Sequence, residues 1–149
     1  MALFEQVSKD IREAMKAHDK VRLEALRNIK KVFLEAKTAP GANDTLEDDT
    51  AMKILQKLAK QGEESAEVYQ KAGRNELAEE EQAQVNIIKQ YLPQPLSEEE
   101  IEVQIKTIIT QTGASTMKDM GKVMGLASKQ MAGQADGKTI STIVRRLLA

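Results

Sequence analysis

Two prolines separated by one residue, in the stretch YLPQPLSEEE at 91–100, limit what this chain can fold into more than any other feature. Proline lacks an amide proton, and its ring pushes the residue before it out of the α region. Pro93 therefore ends any helix that reaches Leu92, and Pro95 keeps Gln94 extended. Immediately afterwards, Ser97-Glu98-Glu99-Glu100 has the form of a capping box, in which a serine and the glutamate three residues on satisfy each other's backbone amides. One helix must stop and another must start inside this stretch. The chain is accordingly divided into an N-terminal part, 1–92, and a C-terminal part, 96–149.

Both parts read as helical. Ala, Leu, Lys, Glu and Gln dominate, aromatic residues make up 3% of the chain, and alternating strand patterns are missing. The spacing predicts a first helix over 2–17 with Leu3, Val7, Ile11 and Met15 as its apolar stripe. Asp19 caps a second, running to Lys37, with Leu23, Leu26, Ile29 and Phe33 inward. A turn-rich loop, 38–44, precedes a long third helix capped by Thr45 with Asp48 reaching back, ending before Gly73 and weakened at Gly62. A fourth, capped by Asn75, carries Leu77, Val85, Ile88 and Leu92, so the third and fourth form a long antiparallel hairpin. After the prolines come three shorter helices. Ile101, Ile105, Ile108 and Ile109 face inward from the first; Met117, Met120, Val123 and Met124 from the second, which starts at Ser115 or Thr116; and Ile140, Ile143, Val144 and Leu147 from the third, which starts near Gly137. The expected fold class is all-α: a helical part with a long hairpin, then a small three-helix bundle.

Catalytic chemistry finds little to build on. With no cysteine there is no thiolate nucleophile, disulfide or Cys-ligated zinc. The single histidine, His18, falls between the first two helices, where a cation favours a helix C-terminus. Glu79–Glu81 and Glu98–Glu100 are consecutive, so their carboxylates diverge around a helix and cannot converge on a proton or metal. No Gly-x-Ser-x-Gly elbow surrounds any serine. GQADGKT, at 133–139, ends like a phosphate-binding loop, but it has three residues between its glycines where that loop has four, and no buried strand precedes it. It reads instead as a helix stop at Gly133 and a new helix capped by Asp136. No catalytic residue, cofactor or metal is therefore expected. The methionines at 117, 120, 124 and 131 have helical spacing and read as core filling, with an adaptable partner groove as the alternative.

Charge is distributed unevenly along the chain. Residues 1–37 hold nine Lys/Arg against six Asp/Glu, residues 38–92 six against eleven, and residues 103–149 seven against two. Lys118, Lys122, Lys129, Lys138, Arg145 and Arg146 are the candidate anion-binding residues, and the helix starts next to Lys118 and Lys138 offer free amides to a phosphate. Arg22, Arg27, Lys30 and Lys31 form a second candidate patch. No segment approaches the roughly 20 apolar residues of a membrane span, and the first residues are charged every few positions, so a cytoplasmic protein with no membrane partner is expected.

Four stretches, AMKAHDKVRLEALRNIK at 14–30, YLPQPLSEEE at 91–100, GASTMKDMGKVMG at 113–125 and GQADGKTISTIVRRLL at 133–148, together resemble the GatB/YqeY-domain family, in its standalone YqeY-like form. That resemblance implies an N-terminal helical part and a C-terminal three-helix part. It also implies a relation to the C-terminal region of the B subunit of the amidotransferase that corrects misacylated Glu-tRNA(Gln) or Asp-tRNA(Asn), where the module is an RNA-engaging tail. The kinase and amidase portions of that enzyme have no counterpart here. A label of carbon–nitrogen ligase with glutamine as amido-N-donor would thus be inherited from the larger assembly. The expected function is a non-catalytic, tRNA-binding or tRNA-associated module whose partners are tRNA and an amidotransferase or other translation protein, with no DNA. A helical protein–protein adaptor is the alternative of a different class.

Overall fold

The computed structural model describes residues 2–149, and their regular elements are helical throughout. In chain order these are α1 (Leu3–Lys16), α2 (Lys20–Lys37), α3 (Asp48–Lys71), α4 (Asn75–Lys89), α5 (Glu98–Thr112), α6 (Met120–Gln130) and α7 (Gly137–Leu148), with a 3₁₀ turn, Met117–Asp119, leading into α6. The chain forms two compact units, Met1–Leu92 and Pro93–Ala149.

In the first unit α1 and α2 pair through a tight turn at His18, which takes φ 55°. The Asp19 carboxylate then caps α2 by accepting the Arg22 amide at 3.1 Å. Val7, Leu26, Ile29, Phe33, Leu55 and Val85 are fully buried together. The inward stripe of α1 is rotated from the expected one. Asp10 and Ala14 are buried, whereas Met15 is 50% exposed.

Helix starts in this unit also depart from the expectation. The Thr45 hydroxyl donates to the Ala42 carbonyl at 2.6 Å and caps nothing. Asp48 accepts the Leu3 amide at 3.0 Å in place of reaching back, so α3 begins at Asp48 itself. Asn75 is the first residue of α4 and not its cap; the turn before it is tied by Gly73 at φ 74° and by the Arg74 amide donating to the Tyr69 carbonyl at 2.8 Å. α4 ends at Lys89, so Leu92, which the proline at 93 disfavours from helical geometry, lies outside it.

α3 runs unbroken through Gly62, contrary to the expected weak point. A Cβ built at Gly62 would overlap Cγ2 of Val85 on α4. Glycine here is a packing requirement. Together with buried Ala66 and Ala78 it lets the two helices of the hairpin approach closely.

Asp10 is the one buried charged side chain among the described residues, and each of its oxygens is held. Gln6 Nε2 donates to Oδ1 at 2.9 Å, and the Tyr91 hydroxyl donates to Oδ2 at 2.5 Å. The Arg22 guanidinium stands 3.9 Å from the same Oδ2, and its other terminal nitrogen donates to Gln90 Oε1 at 2.6 Å. Burial, and then the hydrogen bond to Asp10, push the Tyr91 phenol well above its usual range, so it stays protonated and donating.

The second unit packs α5, α6 and α7 around Ile105, Val123, Met131, Ile140 and Val144. The Ser97–Glu100 capping box forms as its sequence implies, and Gly113 ends α5 in the left-handed region at φ 69°. Leu96 donates its amide to the Gln134 carbonyl at 2.9 Å, and Gln134 Nε2 donates to the Gln94 carbonyl at 3.3 Å. The proline segment is thereby pinned to the turn between α6 and α7.

Gly62→Ala is expected to lower stability by about 1 kcal/mol in urea unfolding, because overpacking against stiff, β-branched Val85 outweighs the gain in helix propensity. Tyr91→Phe is expected to cost about 1.5–3 kcal/mol, the range for a hydrogen bond to a charged group, with no change in helix content by circular dichroism.

Candidate nucleic-acid interface

The six cations singled out in the C-terminal part are all exposed, and local capping decides how each is presented. Thr116 Oγ1 accepts the Lys118 amide at 3.3 Å, while Asp119 Oδ2 accepts the amides of Ser115 at 3.0 Å and Thr116 at 3.3 Å. These bonds stiffen the loop after Gly113 and hold Lys118 on a fixed turn. They also lower the Asp119 carboxyl below its ordinary value, with Ser115 as the larger cause and Thr116 the next. The turn continues directly into α6, where Lys122 and Lys129 recur at i and i+7 on one outward stripe, with Lys118 on the 3₁₀ turn before it. Val123 and Ala127 occupy the opposite, buried side of α6. Met117, expected inward, lies in the 3₁₀ turn and is 45% exposed.

Lys138 belongs to the first turn of α7, where Asp136 accepts the Thr139 amide at 2.7 Å. It lines a groove of about 320 Å³ with Thr139, Thr142 and Arg146 on one wall and Glu98, Glu99 and Glu102 on the other. Arg146 is paired with Glu102 at 3.1 Å, and Lys106 lies 3.6 Å from the same oxygen. The structure thus separates the candidates. Lys118, Lys122 and Lys129 form no ion pair within 4 Å among the described residues, although Lys122 lies near enough to Asp119 to help lower its carboxyl, whereas Lys138 and Arg146 face carboxylates and Arg145 stands on the last turn of α7.

The second patch, in the first unit, is partly committed to structure. Arg22 is turned toward Asp10 and Gln90, and Lys30 lies 5.9 Å from the Phe4 ring centroid, with Lys37 closer at 4.5 Å. Arg27 and Lys31 remain exposed beside Leu34, Glu35 and Thr38. Among the described residues no group of three or more His, Asp or Glu side chains is arranged to hold a metal ion, and no helix is long and apolar enough to cross a membrane.

Backbone glycines in the last third let a polyanion approach closely, and two of them are open to it. Gly121 and Gly125 lie on α6 with ordinary helical φ, both exposed, and a Cβ added at either meets nothing within 4 Å. A helix-interior glycine costs about 1 kcal/mol relative to alanine. At Gly62 close packing offsets that cost; at Gly121 and Gly125 nothing inside the protein does. The signal was present in MGKVMG at 120–125, a helix-period segment interrupted twice by the poorest non-proline helix former.

The profile of the family described as Yqey-like protein matches residues 4–148. Among individual proteins, the chain is similar to a subunit of the Glutamyl-tRNA(Gln) amidotransferase of Thermococcus gammatolerans, 46% identical over 55 residues, which is 34% of this chain and 9% of that protein. It is also similar to two proteins named Altered inheritance of mitochondria protein 41, mitochondrial. The one from Pyrenophora tritici-repentis is 25% identical over 93% of this chain and 77% of its own length, and the one from Lachancea thermotolerans is 30% identical over 70% and 57%. The chain therefore spans under a tenth of the amidotransferase protein.

Because its folded pKa is depressed, Asp119 stabilises the 113–119 turn at neutral pH, and this contribution is lost as pH falls through that lowered value. Side-chain carbon NMR is expected to show Asp119 titrating below the ordinary aspartate value of 3.8, with the Ser115 and Thr116 amide shifts following the same curve.

Proposed function

The chain belongs to the Yqey-like protein family, and from that premise we propose that it is a non-catalytic module that holds folded RNA, tRNA above all, through its second helical unit. The observation that carries this is a run of three exposed lysines, Lys118 on the 3₁₀ turn and Lys122 and Lys129 on α6, none in an ion pair within 4 Å among the described residues. Lysines held at fixed intervals neutralise phosphates whatever the base sequence, and release of counterions supplies the affinity. Lys138, Arg145 and Arg146 act as outer contacts, with Arg146 first having to leave Glu102. The similarity to a protein whose name includes glutamyl-tRNA(Gln) supports tRNA as the RNA, and an amidotransferase or other translation protein as a companion on it. The cytoplasm is the compartment we assign; two relatives are named as mitochondrial, where tRNA also works.

An adaptor that binds protein through the α3–α4 hairpin has less support. Of the large hydrophobic side chains on those helices, only Val68 is strongly exposed, and one residue makes no apolar stripe. Amide transfer by this chain alone lacks an assembled nucleophile and base.

Purified protein is expected to retard a folded tRNA transcript at low salt. Changing Lys118, Lys122, Lys129 and Lys138 together to Gln should weaken the shift strongly and flatten the log K against log salt slope by roughly 0.7–0.9 for each phosphate no longer neutralised. Undetectable binding by the wild type, or binding unchanged in the variant, refutes the proposal. Recovery of a protein and no RNA from cells favours the adaptor, and glutamine-dependent ammonia release would restore the enzyme.

A further inference from the structure

We infer that the exposed face of α6 seats one sugar–phosphate strand of a folded RNA directly against the helix main chain at Gly121 and Gly125. This rests on the RNA-binding proposal and adds to it the place and manner of contact. Lys122, Gly125 and Lys129 follow one another at i, i+3 and i+7 on α6, a stripe roughly 10 Å long at 1.5 Å rise per residue, and Lys118 stands on the 3₁₀ turn that leads into it. Gly121 lies one turn before Gly125 at its edge, and Leu126, 45% exposed, lies beside it.

Three features of this face are matched by a polyanion with a thin apolar rim. Its cations form no ion pair within 4 Å among the described residues, and the carboxylate that Lys122 acts on, Asp119, is held in place by two backbone amides. Charge complementarity therefore selects phosphate. The missing Cβ atoms leave main chain open from outside, and close backbone approach is what glycine offers when no turn and no internal neighbour requires it. Leu126 gives a sugar ring an apolar surface. Residues 93–149 contain no Phe, Tyr, Trp or His, and Arg145 and Arg146 lie on α7, so this face of α6 has no platform for base stacking, by which unstructured strands are largely held. The face thus fits the outside of a folded helix, which is read by its backbone and shape. A partner protein helix lying across Gly121 and Gly125 would use the same openings, but it would have to bring its own carboxylates.

The test uses the full chain with its lysines intact. Gly121→Ala/Gly125→Ala should raise the melting temperature of the second unit by about 4 °C, since both side chains enter open space on a helix. The same variant should weaken binding to a folded tRNA transcript by about fivefold or more, and Gly125→Gln should weaken it further, while the salt slope keeps its wild-type value. Poly(U) should bind the wild type more weakly than the folded transcript. Stabilisation together with weakened RNA binding supports the inference, because a fold role and a contact role move those two readings in opposite directions. Wild-type affinity in both variants overturns it and leaves the RNA-binding proposal standing. A fall in melting temperature overturns it, since the glycines then serve the fold. Loss of a captured protein in place of RNA overturns it in favour of helix docking. Absence of RNA binding by the wild type overturns both.

Discussion

A carboxylate withdrawn from water must be matched by donors or a cation, and in the first unit Asp10 obtains two donors and one cation from three separate stretches of chain. Gln6 comes from its own helix, Arg22 from the start of α2, and Tyr91 from the turn after α4. Satisfying one buried charge therefore fixes where α2 begins relative to α1 and where the chain leaves α4. Such an arrangement is worth less as net stability than as a constraint on alternatives, because any packing that separates these stretches leaves the carboxylate unmatched. The hairpin of α3 and α4 can then be long and narrow, closed by Gly62 against Val85 and by alanines elsewhere along the seam.

The architecture was largely legible because its strongest signals are local. Pro93, Pro95, the Ser97–Glu100 box, Gly73, Gly113 and Asp136 act within a few residues, and each sits in the structure where its chemistry requires. What was not legible depends on distant partners. Asp48 looked like a helix-capping residue until the Leu3 amide, 45 positions away, claimed it. Asp10 carries no local sign of burial, and the partner that helps bury it, Tyr91, lies 81 positions on. Met15 was placed inward by spacing alone, whereas small Ala14 occupies the inner side.

The candidate site divides in the same way. That the cations cluster in the last third was visible in the sequence, and so was their exposure. The pairing of Arg146 with Glu102, and the acidic wall opposite Lys138, follow from how α5 lies beside α7 and had no local signature. The meaning of each glycine was equally hidden. Gly62 and Gly125 are indistinguishable as letters in a helical pattern, and only the space around an added carbon separates one that the fold needs from one that it does not.

The confinement of every aromatic side chain to residues 1–92 has a spectroscopic consequence. With tyrosines at 69 and 91 and no tryptophan, near-ultraviolet absorbance and intrinsic fluorescence arise wholly from the first unit, and Tyr91 within it reports directly on the Asp10 contact. The second unit is silent to those probes and contributes to the far-ultraviolet helical signal. Recording both signals during one thermal scan therefore resolves the two units without labels: a fluorescence transition marks the loss of the first, and helicity lost at any other temperature belongs to the second.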